Sequence, residues 1–238
     1  MRVAVVGPGK MGREVAEVLR ERGHEPVMVG RGDAFPAGCA VGIDFTRPDA
    51  VMENVKKALA ARTRYVVGTT GWSAQAEEVR RLVDNGKGGL VHAANFSVGV
   101  NLFYRIVSEA ARTLAPFADY DPYVLERHHR QKKDAPSGTA KALAAIVEKA
   151  GGKRSRAVTS LSAPLKDDEF LVTAVRAGGI VGEHAVGFDS GGDEILLEHR
   201  ARSRRGFALG AVLAAEWIAS RTGVFGFDAV LADLGPQV

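Results

Sequence analysis

The sequence predicts an α/β protein: a parallel-sheet domain joined to a smaller α+β domain with an open mixed sheet. Three observations lead there. Strand-like apolar runs alternate with amphipathic helical runs from residue 2 to residue 97, the rhythm of a parallel sheet with crossover helices. The first strand, Arg2-Val3-Ala4-Val5-Val6, runs straight into the turn Gly7-Pro8-Gly9-Lys10-Met11-Gly12. Beyond Asp119 the rhythm changes, and strands follow one another with few helices between them.

Composition bounds the answer. A length of 238 residues suits one or two modest domains, and 46% apolar with 25% charged residues is ordinary for a globular protein and unlike a disordered or fibrous one. The single cysteine, Cys39, excludes an internal disulfide framework. No cluster of Cys and His has zinc spacing, so no metal is expected, and a reducing, cytoplasmic compartment is the default. Residues 2–6 are too brief an apolar run for a signal peptide, and no apolar stretch reaches membrane-spanning length. The net charge of +4 is mild, and the basic excess gathers at 127–133 and at Arg200, Arg202, Arg204 and Arg205. Neither cluster is interleaved with aromatics, so a local anion site is expected and no nucleic acid partner.

The turn after the first strand is G-x-G-x-x-G in the context that gives it meaning, between a buried strand and a helix with Met11, Val15, Val18 and Leu19 on one side. Gly7 permits the tight turn, Gly9 lets a pyrophosphate approach the backbone, and Gly12 brings helix and strand together. A Rossmann-type dinucleotide site, for NADPH or NADH, follows. Val27-Met28-Val29 is the second strand, where an NAD site normally ends in Asp or Glu; Gly30-Arg31-Gly32-Asp33 stands there instead. Arg31 can pair with a 2′-phosphate or be an ordinary loop cation. Ala40–Phe45 reads as the third strand, residues 48–61 as a helix and Tyr65-Val66-Val67 as the fourth strand. Gly68-Thr69-Thr70-Gly71-Trp72 and Ala93-Ala94-Asn95-Phe96-Ser97 then follow strands four and five at their carboxyl ends, where open α/β sheets place ligands.

A helix over 100–114 closes the alternating half, with a domain boundary near residues 97–100. Residues 120–128, 156–161, 170–176, 180–188 and 193–202 read as strands, and 205–220 as a helix long enough to bridge domains. The chemistry concentrates in ERHHRQKKDAPSGT, residues 126–139. His128 and His129 lie among Arg127, Arg130, Lys132 and Lys133, and neighbouring positive charge favours neutral imidazole. Ser137 is a natural N-cap for the helical run that follows, and the amides of Gly138 and Thr139 at that helix start can hold a carboxylate or phosphate. His184 and His199 lie in strands and read as structural.

HHRQKKDAPSGTA closely resembles the H-H-x-x-K-x-D-A-P-S-G-T motif of the 4-hydroxy-tetrahydrodipicolinate reductases, long called dihydrodipicolinate reductases. Further segments resemble that family: Asp44-Phe45-Thr46-Arg47-Pro48, GTTGW, AANFSVGVN, and the stretches around Arg176-Ala177-Gly178 and Gly182-Glu183-His184. In the glycine loop the family carries G-x-x-G-x-M-G; this chain is one residue shorter and matches at Met11-Gly12. The resemblance implies NADPH or NADH as cofactor, held by the loop Gly7, Pro8, Gly9, Lys10, Met11 and Gly12, with Gly68, Thr69, Thr70, Ala93, Ala94, Asn95 and Phe96 around the ribose and nicotinamide. It implies His128 as proton donor, Lys132 as second donor, and His129, Ser137, Gly138 and Thr139 on a small cyclic dicarboxylate substrate; Arg204, in the second basic cluster, is a candidate for a further anion contact. It also implies a nucleotide domain of residues 1–98 and 206–238, a substrate and oligomerisation domain of 99–205, a homotetramer, and a role in lysine and diaminopimelate synthesis.

Two other functions share parts of this pattern. A semialdehyde or homoserine dehydrogenase would share residues 1–97, yet should lack the HH…K…DAPSGT loop, and an aldehyde dehydrogenase of that kind would need a cysteine nucleophile in a context that Cys39 does not have. A nucleotide-sensing protein without turnover would keep the glycine loop and would not oxidise NADPH on addition of substrate.

Overall fold

The computed structural model describes residues 1–235. The chain divides into two compact units, residues 1–98 with 204–238, and residues 99–203. In chain order the first unit begins with β1 (Arg2–Val6), α1 (Lys10–Glu21), β2 (Glu25–Val29), β3 (Val41–Asp44), α2 (Val51–Ala60), β4 (Arg64–Val67), α3 (Ala76–Asn85) and β5 (Gly89–His92). The chain then passes through α4 (Val98–Leu114), β6 (Asp121–His128), α5 (Gly138–Ala150), β7 (Arg156–Val158), β8 (Glu169–Arg176), β9 (Glu183–Asp189) and β10 (Glu194–Arg200). It returns to the first unit as α6 (Arg205–Ile218), β11 (Gly223–Gly226) and α7 (Phe227–Leu234).

The first unit is a six-stranded parallel sheet in the order β11-β5-β4-β3-β1-β2. Its inner strands β1, β3, β4 and β5 are largely apolar and buried because both faces are covered. Val3, Val5, Ile43, Val66 and Val91 pack with α1, α6 and α7, whereas Ala4, Val6, Tyr65, Val67 and Leu90 pack with α2 and α3. Strand order reverses between β1 and β3, so the loops leaving those two strands flank the point at which such sheets bind ligands. β11 was not among the expected strands. Four residues, Gly-Val-Phe-Gly, carry no readable periodicity, and pairing with β5 makes them a strand.

The second unit is a five-stranded mixed sheet in the order β10-β9-β6-β8-β7. β6 runs parallel to β8 and antiparallel to β9, which in turn pairs antiparallel with β10. Helices α4 and α5 cover one face through Phe103, Val107, Leu143 and Val147, against Val124, Phe170, Val172, Val186 and Phe188. β6 alternates strictly, with Pro122, Val124, Glu126 and His128 turned to the helices. The strand period of two thus sends Arg127 to the opposite face.

Candidate active site

In the first unit each glycine of the turn after β1 has a separate cause. Gly7 holds φ +100, and a Cβ there would lie 2.6 Å from the Phe45 carbonyl oxygen. A Cβ on Gly12 would overlap the Gly7 carbonyl oxygen at 2.0 Å, so α1 can lie this close to β1 only with glycine at that position. At Gly9 nothing stands within 4 Å of the Cβ position, and no side chain caps α1 there. An open backbone at a helix start is what a pyrophosphate needs. The residues present therefore fit a dinucleotide, with Pro8, Lys10 and Met11 in the same turn.

The neighbouring loops are built on Asp44, which is fully buried at the end of β3. Its Oδ1 accepts from Thr46 N, Thr46 Oγ1 and Thr69 Oγ1 at 2.9, 2.6 and 3.0 Å, and its Oδ2 from Asn54 Nδ2 and Tyr65 OH at 2.9 and 3.1 Å. Burial and the Asp44 charge push the Tyr65 hydroxyl well above its ordinary pKa. The Thr69 hydroxyl is thus committed to the loop framework, while Thr70 is exposed. Gly68 is obligatory, since a Cβ there would lie 2.2 Å from the Phe45 ring. After β5, Ala93 is partly buried and Ala94 exposed, and Asn95 Oδ1 accepts from Ser97 N at 2.8 Å. Phe96 is a core residue, its ring packed 4.9 Å from that of Phe227. Only its main chain is left for a nucleotide. Arg31 is exposed on the turn after β2, and Asp33 Oδ2 accepts from Gly30 N at 2.7 Å. An acidic group therefore does stand at the end of β2, brought back by the turn over residues 30–33. Arg204 sits exposed at the N-cap of α6.

In the second unit the inner face of the sheet gathers a polar network. Glu126 Oε1 accepts from Ser137 N at 2.9 Å and from Arg176 Nη2 at 2.7 Å. Its Oε2 stands 2.7 Å from Nδ1 of His128, close enough for strong charge coupling although the ring N–H is not aimed along the contact. His184, from β9, lies 3.3 Å from the Ser137 hydroxyl and stacks edge-on to His128 at 5.1 Å between ring centroids. Ser137 caps α5, its Oγ accepting from Ala140 N at 3.2 Å. Arg176 also donates to the Asp134 carbonyl at 2.6 Å, ahead of a cis Ala135–Pro136 peptide. Lys132 Nζ is paired with Asp134 Oδ1 at 2.8 Å. His129 is half-buried, Gly138 is exposed, and Thr139 is hydrogen-bonded to the Tyr104 hydroxyl.

Electrostatics follow from this packing. Burial pushes the Glu126 carboxyl up, and the bonds from Ser137 and Arg176 overcome it and hold the group below its ordinary value. For His128 burial is the largest influence and lowers the pKa; Glu126 opposes it, while Lys132 and Arg176 reinforce it, and the net shift is downward. The cation cluster expected around the histidines needs correction. Arg127 lies on the other face of the sheet, paired with Glu183 at 2.7 Å and Glu198 at 3.0 Å, and the inner guanidinium is that of Arg176. His184, expected to be structural, packs within this network beside Ser137 and His128.

Known proteins resemble this chain in sequence and fold. Residues 99–231 match the sequence profile described as "Dihydrodipicolinate reductase, C-terminus", and residues 25–96 match "Dihydrodipicolinate reductase, N-terminus". The chain belongs to the dihydrodipicolinate reductase family. A 4-hydroxy-tetrahydrodipicolinate reductase of Christiangramia forsetii is 34% identical over 240 residues, covering 98% of this chain and 99% of its own. That of Methanoregula boonei is 42% identical over 190 residues, covering 79% of this chain and 73% of its own. The structure of dipicolinate-bound dihydrodipicolinate reductase from Paenisporosarcina sp. TG-14 superposes with a TM-score of 0.76 at 26% identity, covering 97% of this chain and 99% of its own. As a dihydrodipicolinate reductase family member the protein is an NAD(P)H-dependent oxidoreductase of lysine biosynthesis, with the parallel-sheet unit as its nucleotide domain. The N-terminal match begins at residue 25, past the shortened glycine loop.

Proposed function

We propose that the protein reduces 4-hydroxy-tetrahydrodipicolinate, after loss of water, to tetrahydrodipicolinate, with His128 as the acid that completes the reaction. The observation that carries this reading is a buried imidazole, coupled to a carboxylate, at the end of a strand whose next loop leads into a capped helix start. The bound nicotinamide nucleotide supplies the hydride, to C4 of the ring. His128 then gives C3 its proton, since the enamine left by hydride addition is electron-rich there. Its lowered pKa makes the imidazolium a readier donor. Lys132 acts as second donor and electrostatic stabiliser, and it must exchange Asp134 for the substrate to do so.

His129 and the first-turn amides of Gly138 and Thr139 hold the ring carboxylates, because amides at a helix start point out of the helix toward an anion. A relative bound to dipicolinate, a planar cyclic dicarboxylate, supports that class of ligand. The nucleotide lies along Gly7–Gly12, beside the loops built on Asp44. Arg204 adds an anion contact. In a homotetramer the outward face of the mixed sheet, with Leu125, Val175 and Leu196 and no covering helix among the described residues of its own unit, meets a second copy. The cytoplasm is where such an enzyme finds its reduced nucleotide. A coupled assay that makes the unstable substrate in situ from pyruvate and aspartate semialdehyde tests the reading: NADPH or NADH is consumed only when both precursors and the condensing enzyme are present. Consumption independent of them, or none at all, would overturn it.

A further inference from the structure

The Glu126 carboxylate, 0% exposed, takes part in none of the steps above. A buried carboxylate is costly unless paired and hydrogen-bonded, and this one joins three elements at once. Oε1 holds the Ser137 amide at the start of α5 and the Arg176 guanidinium from β8, while Oε2 faces Nδ1 of His128 on its own strand. Strand pairing sets these meetings: His128 is in register with Arg176, and Glu126 with His184. Arg176 is held in turn by the carbonyls of Asp134 and Val175, at 2.6 and 2.9 Å. The carboxylate is therefore braced by groups that themselves have little freedom.

We propose that Glu126, locked by Arg176, is a positioning residue of the reductase: Oε2 fixes the His128 ring with Nδ1 inward and Nε2 turned to the substrate, and Oε1 fixes the helix start that binds the substrate's carboxylate. The inference rests on the reading of His128 as proton donor. Four charged or titratable groups face His128: Glu126 from its own strand, Lys132 from the following loop, Arg176 from β8 and His184 from β9. Of these, Glu126 alone favours the protonated ring. Without it the proton is lost at lower pH, and the imidazole loses the group that faces its Nδ1.

The isosteric variant Glu126→Gln separates this role from a merely structural one. The His128 ring is titrated by NMR, with its resonances assigned through His128→Gln, and kcat is followed against pH. The expected result is a His128 midpoint lower by about one pH unit, a shift typical of losing one close charge, with the alkaline limb of kcat moving down alongside it. General loosening of the fold would instead raise the midpoint toward that of free imidazole. A midpoint that is unchanged or raised overturns the proposal and leaves the acid assignment standing. Wild-type turnover in His128→Gln overturns the acid assignment itself, whatever the midpoint does. Should Glu126→Gln not fold, the double variant Glu126→Gln/Arg176→Met removes both charges together. Its kcat is expected to fall at least tenfold with KM for NADPH unchanged, and wild-type kcat there overturns the positioning role.

Discussion

Gly182 gives Nε2 of His128 its room: a Cβ at residue 182 would stand 3.1 Å from that nitrogen and 3.4 Å from Cδ2 of the same ring. Gly182 precedes β9, and its carbonyl accepts from Ala201 N at 2.8 Å, so its backbone is not free to retreat. In Gly182→Ala the imidazole must give way by a few tenths of an ångström. Misplacements of this order cost catalysis far more than stability, and kcat is expected to fall about tenfold, with nucleotide affinity measured by fluorescence unchanged. Unaltered kcat would mean that Nε2 is not the working nitrogen.

His128→Gln and Lys132→Ala should each lower kcat by about 10² to 10⁴, the range for loss of positioned proton transfer. NADPH binding, measured separately by titration, should change little. Lys132 is tied to Asp134, so its variant should also free the loop and raise KM for substrate, a split not expected of His128→Gln. Wild-type turnover in both variants would remove the catalytic assignment.

How much of this site was legible in the sequence depends on the distance over which each contact is made. The glycine loop could be read because Gly7 and Gly12 answer local steric demands at a fixed spacing around Gly9, and the Ser137 cap because a cap is a three-residue event. Glu126 and Arg127 were within reach, since a period of two separates them onto opposite faces of β6, but local charge density drew all the cations toward the histidines. Arg176 and His184 stood out only as stretches resembling the family, and their meeting with Glu126 and His128 was not legible. They arrive through the register of β8 and β9 on β6, and pairing across 40 to 60 intervening residues leaves no mark in the spacing of either strand.

Pyridine-2,6-dicarboxylate should compete with substrate and raise the melting temperature, as a planar mimic of the ring. Thr139→Val should weaken it by only about 1 kcal/mol, because the backbone amides at the start of α5 remain. An isothermal titration gives both values. Inhibition that is not competitive with substrate would move the dicarboxylate site away from this loop.

Stability should fall in mild acid because of His184, which burial chiefly, with the neighbouring His128, pushes down to about 4. The unfolded chain takes up a proton near pH 6.5 and the folded one does not, so the stabilisation is complete above that pH and is lost as pH falls toward 4. Between pH 7 and pH 5 this amounts to about 2 kcal/mol for one such histidine. Urea unfolding of wild type and His184→Gln at both values checks it: the variant should lose about 2 kcal/mol less than wild type over that interval, and equal losses would place the linkage elsewhere.

The choice between NADPH and NADH turns on two charges at the end of β2. An acidic group there normally takes the ribose hydroxyls and repels a 2′-phosphate, and Asp33 is the acidic group that the turn returns to this place. Its Oδ2 is already engaged by the Gly30 amide at 2.7 Å, which leaves it less able to bind a ribose. Arg31 is exposed and on the same turn, and a charge-assisted contact from its guanidinium to a 2′-phosphate contributes roughly 1.5 to 3 kcal/mol once ordered. NADPH should therefore serve at least as well as NADH. In Arg31→Ala, kcat/KM should fall for NADPH much more than for NADH. In Asp33→Asn, which keeps an acceptor for Gly30 and removes the charge, the ratio should move the other way. A wild-type preference for NADH above tenfold, or equal losses for both nucleotides in Arg31→Ala, would reduce Arg31 to a loop cation and leave Asp33 in control.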